Sequence, residues 1–181
     1  MKNEEEADRE CVERCLHGDL DAFSSLMDRY QKPIFHAVLH MVGNYEDARE
    51  ISQQAFLKAF EHLESYDRSH KFFSWIYRVA INESINHLHA RRTFEPLSDN
   101  QPAVGNPAEF FEVSERSRLV REAVMTLSAD YRAVIILRHF LHLSYAETAE
   151  TLNVPEKTVR SRLYSARQLL RTALSSKGQV R

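Results

Sequence analysis

Residues 143–171 read LSYAETAETLNVPEKTVRSRLYSARQLLR, and two helix periods are written into them on either side of Pro155. Ser144-Tyr145-Ala146-Glu147 has capping-box form: the serine hydroxyl can accept from a free first-turn amide while the glutamate reaches back. The helix this opens is short and stops near Leu152. Asn153-Val154-Pro155 makes a tight turn, because Asn tolerates the left-handed conformation and Pro suits the first turn of a new helix. In that second helix Val159, Leu163, Ala166 and Leu170 recur at helical spacing and form a stripe to bury. Arg160, Tyr164, Arg167 and Arg171 recur on a neighbouring face, with Lys157, Ser161 and Gln168 beside them. A short helix, a tight turn and a second helix with a cationic face suit the DNA major groove. A guanidinium pairs with guanine through two hydrogen bonds, hydroxyls meet bases or phosphates, and the helix start attracts a phosphate. The competing reading is an amphipathic hairpin that only packs.

Helical periodicity continues outward from this motif, with no convincing strand alternation. Leu119, Val120, Ala123, Val124 and Leu127 mark a helix upstream, and Ser128 is expected to cap another carrying Val134, Ile135 and Leu137. Before them, residues 93–111 change character. Glu95, Pro96, Ser98, Asp99, Asn100, Pro102, Gly105, Asn106 and Pro107 read as a flexible linker, whose extended reach is roughly 60 Å at ~3.3 to 3.6 Å per residue.

The first half reads as four or five helices. One ends at Gly18, and Asp19 caps the next, where Phe23, Leu26, Met27 and Tyr30 are expected to face inward. Pro33 is expected to start a helix or kink one, with Ile34, Val38, Met41 and Val42 continuing the core. Gly43-Asn44 reads as a stop followed by a cap. Ala48, Ile51, Ala55, Ala59 and Leu63 then share one face, opposite Arg49, Gln53, Gln54 and Lys58. A last helix, Phe72 to Arg92, buries Ile76, Val79 and Leu88. The expected fold is all-α: two small helical domains, 1–92 and 112–181, joined by the linker.

Composition agrees with a folded helical chain. Of 181 residues 43% are hydrophobic and 28% charged, and only 4 Gly and 5 Pro leave little scope for the many turns of a sheet sandwich. No apolar run approaches the ~18 residues that span a bilayer, and the acidic start lacks a secretory signal's apolar core. The expected location is the cytoplasm, with no direct membrane insertion. Net charge is only -2, but it is unevenly spread. Arg68, Lys71, Arg78, Arg91 and Arg92 face Glu83 alone within residues 68–94, and residues 156–181 are basic apart from Glu156. Two basic segments in an otherwise acidic chain point to two polyanion contacts.

The first basic segment is also aromatic: Tyr66, Phe72, Phe73, Trp75 and Tyr77, with Asn82 and Asn86 further on. Rings stack on unpaired bases while cations hold phosphates, so the mixture suits single-stranded DNA. Clustered aromatics also form ordinary cores, and composition leaves the two readings level. Cys11 and Cys15, the only cysteines, read first as small buried hydrophobes; neither metal nor cofactor is expected. No H-E-x-x-H, P-loop or G-x-S-x-G run points to an enzyme.

In this order and spacing, four stretches resemble the extracytoplasmic-function (group 4) sigma factors of the bacterial sigma-70 type. They are Gly18 to Phe23 with Tyr30, Asp47 to Phe56, Phe73 to Asn82, and Leu143 to Leu163. The resemblance implies a subunit that binds core RNA polymerase and directs promoter-specific initiation of a stress or envelope-response regulon. Asp47, Glu50, Gln53, Gln54 and Lys58 would dock on the clamp of the largest polymerase subunit, with a further contact to the flap of the second-largest. Tyr66, Arg68, Ser69, His70, Lys71, Phe72, Trp75, Arg78 and Asn82 would take the unwound minus-ten element. Lys157, Thr158, Arg160, Ser161, Arg162, Tyr164, Ser165 and Arg167 would read the minus-thirty-five duplex. An anti-sigma factor is the expected further partner, which could hold the chain at the inner membrane. The alternative is a helix-turn-helix regulator that never binds core polymerase. The sigma reading expects both modules to present their cationic faces outward.

Overall fold

The computed structural model describes residues 2–94 and 115–176, and these are helices joined by short turns, with no strand among the described residues. The first cluster contains α1 (Lys2–Leu16), α2 (Leu20–Val42), α3 (Tyr45–Glu61), a 3-10 turn (Leu63–Ser65) and α4 (Phe72–Phe94). The second contains α5 (Glu115–Met125), α6 (Ala129–Ile135) running into a π-helical turn (Ile136–Phe140), α7 (Tyr145–Leu152) and α8 (Glu156–Ser176). Apart from its first two residues, which end α4, the expected linker 93–111 lies outside the described residues.

Local chemistry sets the helix ends. Asp19 accepts from the amides of Asp21 and Ala22 at the start of α2, and its other oxygen takes the Arg14 guanidinium at 2.7 Å, tying α1 to the cap. Gly43, at φ 76°, closes α2, and the Asn44 side chain caps α3 through the Asp47 amide. Pro33 neither starts nor ends a helix: α2 runs through it. Its ring sits on the exposed face, where the carbonyl deprived of a donor can turn to water. Met27 is 37% exposed, so it does not share the inward stripe. Ser128 precedes α6 with extended backbone but makes no side-chain cap bond.

The first core gathers Leu26, Ile34, Val38 and Met41 from α2, Ile51 and Ala55 from α3, and Ile76, Tyr77 and Ile81 from α4. Val12 reaches it from α1, while Cys11 and Cys15 pack against its edge. Asp8 also holds α1, because it is almost fully buried and accepts from Arg29 and Tyr30 of α2. Burial raises the Asp8 pKa against the opposing pull of those two partners. The second core contains Val124, Leu127, Val134, Val159, Leu163 and Ala166.

The clusters are not independent. Ala133, Ile136, Leu137 and Leu143 of the second half belong to the first core. A fully buried Ile or Leu side chain contributes about 1.5–3 kcal/mol, so this shared packing is the main cohesion between halves. Arg132, only 6% exposed, donates to the Met41 carbonyl at the end of α2, and to the Met125 and Leu127 carbonyls at 2.6 and 3.0 Å. A cation suits these helix C-termini, where carbonyls lack helical donors. At Gly43 a Cβ would meet Met125 Sδ at 2.9 Å, so the residue that permits the left-handed turn also admits the second half.

Candidate nucleic-acid interface

The helix-turn-helix is built from α7 and α8. Ser144 accepts from the Glu147 amide at 3.1 Å, and Glu147 Oε2 accepts from the Ser144 amide at 2.9 Å, completing the capping box. That backbone bond, supported by the Ser144 side chain and Lys71, holds the Glu147 carboxyl below its ordinary pKa. Asn153 adopts the left-handed conformation (φ 51°, ψ 47°) that turns the chain into α8. Val159, Leu163 and Ala166 are buried, which leaves the opposite side of α8 to solvent.

On that side Lys157, Arg160, Ser161, Tyr164 and Arg167 are exposed, and Thr158 and Ser165 are half-buried at its margin. Tyr164 is 67% exposed, too open for a core role. Arg160 is held by Glu156 at 3.2 Å and lies over the Tyr145 ring, 4.4 Å from its centroid. Arg162 departs from the expected surface: it turns toward α6 and donates to Asp130 at 3.1 Å.

Sequence reading missed two further side chains beside this face, one cation and one imidazole. Arg138 covers the Tyr145 ring, also at 4.4 Å, so this ring carries two guanidiniums. His139 lies 3.3 Å from Arg167 Nη2, and burial followed by the fields of Arg167 and Arg138 lowers its pKa. Both come from the π-helical turn, which brings them beside α8. An arginine and a histidine at the end of the apolar run 133–137 were the only local signal.

The aromatic segment divides between core and surface. Tyr66 and Phe72 are buried, 6% and 2% exposed, so in this conformation they are struts, not stacking platforms. Tyr66 donates to the His70 carbonyl at 2.5 Å and clasps the loop from beneath; burial pushes its pKa up to about 12. Asp67 accepts from the Ser69 amide at 2.8 Å and tightens the same loop. Trp75 packs on Tyr66 and Phe72 with centroids at 5.3 and 5.7 Å, but stays partly exposed, and Asn82 is exposed. Arg68 meets Glu13 at 3.4 Å, Lys71 meets Glu147 at 3.4 Å, and Arg78 donates to the Glu150 carbonyl at 2.9 Å. Each of these cations therefore meets a group on another element, whereas Lys157, Arg160 and Arg167 line the exposed side of α8.

The expected polymerase-binding residues also divide. Asp47 turns toward α4, 3.1 Å from Arg91 and 3.4 Å from His87. Lys58 pairs with Glu83 at 2.7 Å, and Gln54 donates to Glu50 at 3.1 Å. Gln53 instead lines a groove of about 940 Å³ between α2 and α3, with Phe23, Phe35, Phe56 and Phe60 among its walls. Leu57 and Phe60 at its rim are 58% and 43% exposed, an outward apolar pair that polar expectations for α3 passed over.

Among the described residues no group of three or more His, Cys, Asp or Glu could hold a metal, and no helix is long and apolar enough to cross a membrane. Sigma-70 region 2 matches residues 26–93, and Sigma-70 region 4 matches residues 117–170. The chain is 35% identical to the RNA polymerase sigma-H factor of Pseudomonas aeruginosa, over 94% of this chain and 95% of that protein. It is 33% identical to the ECF RNA polymerase sigma-E factor of Escherichia coli K12, over 93% and 94%. Identity is 30% to the ECF RNA polymerase sigma factor SigW of Bacillus subtilis, over 90% and 94%.

Two solved structures share the fold. CnrH, in complex with the cytosolic domain of CnrY, gives a TM-score of 0.71 at 22% identity, over 94% of this chain and 98% of that one. The sigma factor RpoE, in complex with the anti-sigma factor NepR from Bartonella quintana, gives 0.72 at 20% identity, over 86% and 98%. These complexes correct the plain cytoplasmic placement. Both of these solved proteins are in complex with a partner, one of them present as its cytosolic domain. With two regions in order and full-length relatives at this identity, the chain belongs to the extracytoplasmic-function sigma factors of the sigma-70 family, non-catalytic subunits that direct transcription through core RNA polymerase.

Proposed function

We propose that this sigma factor divides promoter recognition between two surfaces, 1–92 acting on the minus-ten element and 112–181 on the minus-thirty-five element. The outward cationic face of α8 carries the reading. Arg160, Ser161, Tyr164 and Arg167 would meet base edges in the major groove, with Lys157, Thr158 and Ser165 at its phosphate walls. Arg138 adds charge beside that face, and Arg162 braces α8 against α6. Arg68, Ser69, His70 and Lys71, with Trp75, Arg78 and Asn82 behind them, would hold the unwound strand over the support of Tyr66 and Phe72.

Docking on the polymerase clamp would use Gln53 and the apolar rim of the α2–α3 groove, with Glu50 and Gln54 alongside. Asp47 and Lys58 would hold α3 against α4. A flap contact would engage the second half. An anti-sigma factor is the proposed regulator, holding the chain at the inner membrane until an envelope or other stress releases it.

The test uses a promoter with both elements and two variants. Arg160→Ala should weaken upstream recognition by about 1–3 kcal/mol. Replacing Arg68, Ser69, His70 and Lys71 together should abolish permanganate-reactive strand opening while sparing upstream binding. Wild-type affinity in the first variant, or normal opening in the second, contradicts the assignment.

A further inference from the structure

The three Lys and Arg residues of the segment from Tyr66 to Asn82 each meet a carboxylate or carbonyl from another element. Arg68 meets Glu13, while Lys71 lies between Glu5 at 4.0 Å and Glu147 at 3.4 Å. Arg78 donates to the Glu150 carbonyl at 2.9 Å, and His70 Nδ1 lies 3.3 Å from Glu150 Oε1. Two of the anions, Glu147 and Glu150, belong to α7, which also supports the reader helix α8. Glu147 divides its oxygens: Oε2 caps its own helix, and Oε1 faces Lys71.

We propose that the acidic face of α7, joined by Glu5 and Glu13 of α1, is a docking surface for the chain's own strand-opening segment, keeping the unbound protein closed. This rests on the assignment of that segment to unpaired DNA. The carboxylates occupy the places that strand phosphates would take, so the segment cannot serve both. Because α7 and α8 form one motif, parting α7 from α4 frees the strand-opening segment and lets the already exposed α8 move independently of it. The shared packing of Ile136, Leu137 and Leu143 supplies the cohesion. Exposed ion pairs are individually weak and screened by salt, so the charged contacts chiefly select this arrangement. Opening uncovers apolar surface, and the partner that opens the chain must cover it.

The test uses the full chain carrying Cys11→Ser and Cys15→Ser, with dyes on cysteines placed at exposed Glu46 and Thr172. Energy transfer then reports the separation of the halves without DNA. Glu147→Gln with Glu150→Gln removes the anions yet keeps a residue that completes the capping box. Lys71→Glu opposes the contact from the other side and leaves α7 untouched. Both variants should lower transfer at unchanged helicity, and the Gln pair should bind a single-stranded minus-ten oligonucleotide severalfold more tightly. Transfer unchanged in both variants overturns the docking surface. Lower transfer with unchanged oligonucleotide affinity upholds the surface and instead overturns the assignment of the segment to unpaired DNA.

Discussion

Arg132 shows how one side chain can join the two halves. Its guanidinium serves carbonyls of Met41, Met125 and Leu127, and water cannot replace it in a site 6% exposed. Arg132→Met keeps much of the bulk and removes the donors, so it should lower stability by about 3 kcal/mol, read by chemical denaturation. A change under ~1 kcal/mol would mean that the carbonyls find other donors. This role was not legible in the sequence, where Arg132 is one cation in an otherwise apolar run. A buried charge is identified by carbonyls distant along the chain, and periodicity carries no such information. Asp8 was missed for the same reason: it reads as one acid among many until Arg29 and Tyr30 close on it. The outward side of α8 was legible, because the spacing of Val159, Leu163 and Ala166 dictates where Arg160, Tyr164 and Arg167 point.

Elements ruled by local chemistry were read well. Ser144, Glu147 and Asn153 act within a few residues of one another, and the structure shows the cap and left-handed turn that their types demand. Ser144→Ala should therefore cost about 1 kcal/mol of stability, visible as a lower midpoint in thermal unfolding, whereas Ser144→Asp should retain most of it. Equal losses in both variants would show that the hydroxyl is not acting as a cap. Elements ruled by their surroundings were read less well. Pro33 read as a helix start or a kink, and α2 neither starts nor ends there but runs through it. The π-helical turn has no sequence signature, although it places Arg138 and His139 beside α8. The groove between α2 and α3 was also missed, since Leu57 and Phe60 become a rim only once α2 lies opposite.

Across the whole molecule, apolar stripes marked two helical clusters but did not say which stripe meets which. Leu137 was expected on an apolar stripe; its place in the first core, beside Ile136, follows from tertiary packing alone. His40 gives that junction a pH signature. Its ring lies 4.2 Å from that of Phe140, and burial, with Arg121 and His36 nearby, depresses its pKa from 6.5 to about 4. Between those values the unfolded chain takes up the proton first, so stability present above pH 6.5 is lost as pH falls toward 4. His40→Phe should lose less stability than the parent over that window, with the difference growing as pH falls. Parallel stability curves would show that His40 does not contribute.

The division of one promoter between two helical surfaces is tested most directly by adding the purified chain to sigma-free core polymerase and mapping transcript starts. The expected result is initiation at discrete sites, with strand opening at the minus-ten element and protection of duplex at the minus-thirty-five element. A chain that bound promoter DNA well alone, never associated with core and started no transcript would contradict it.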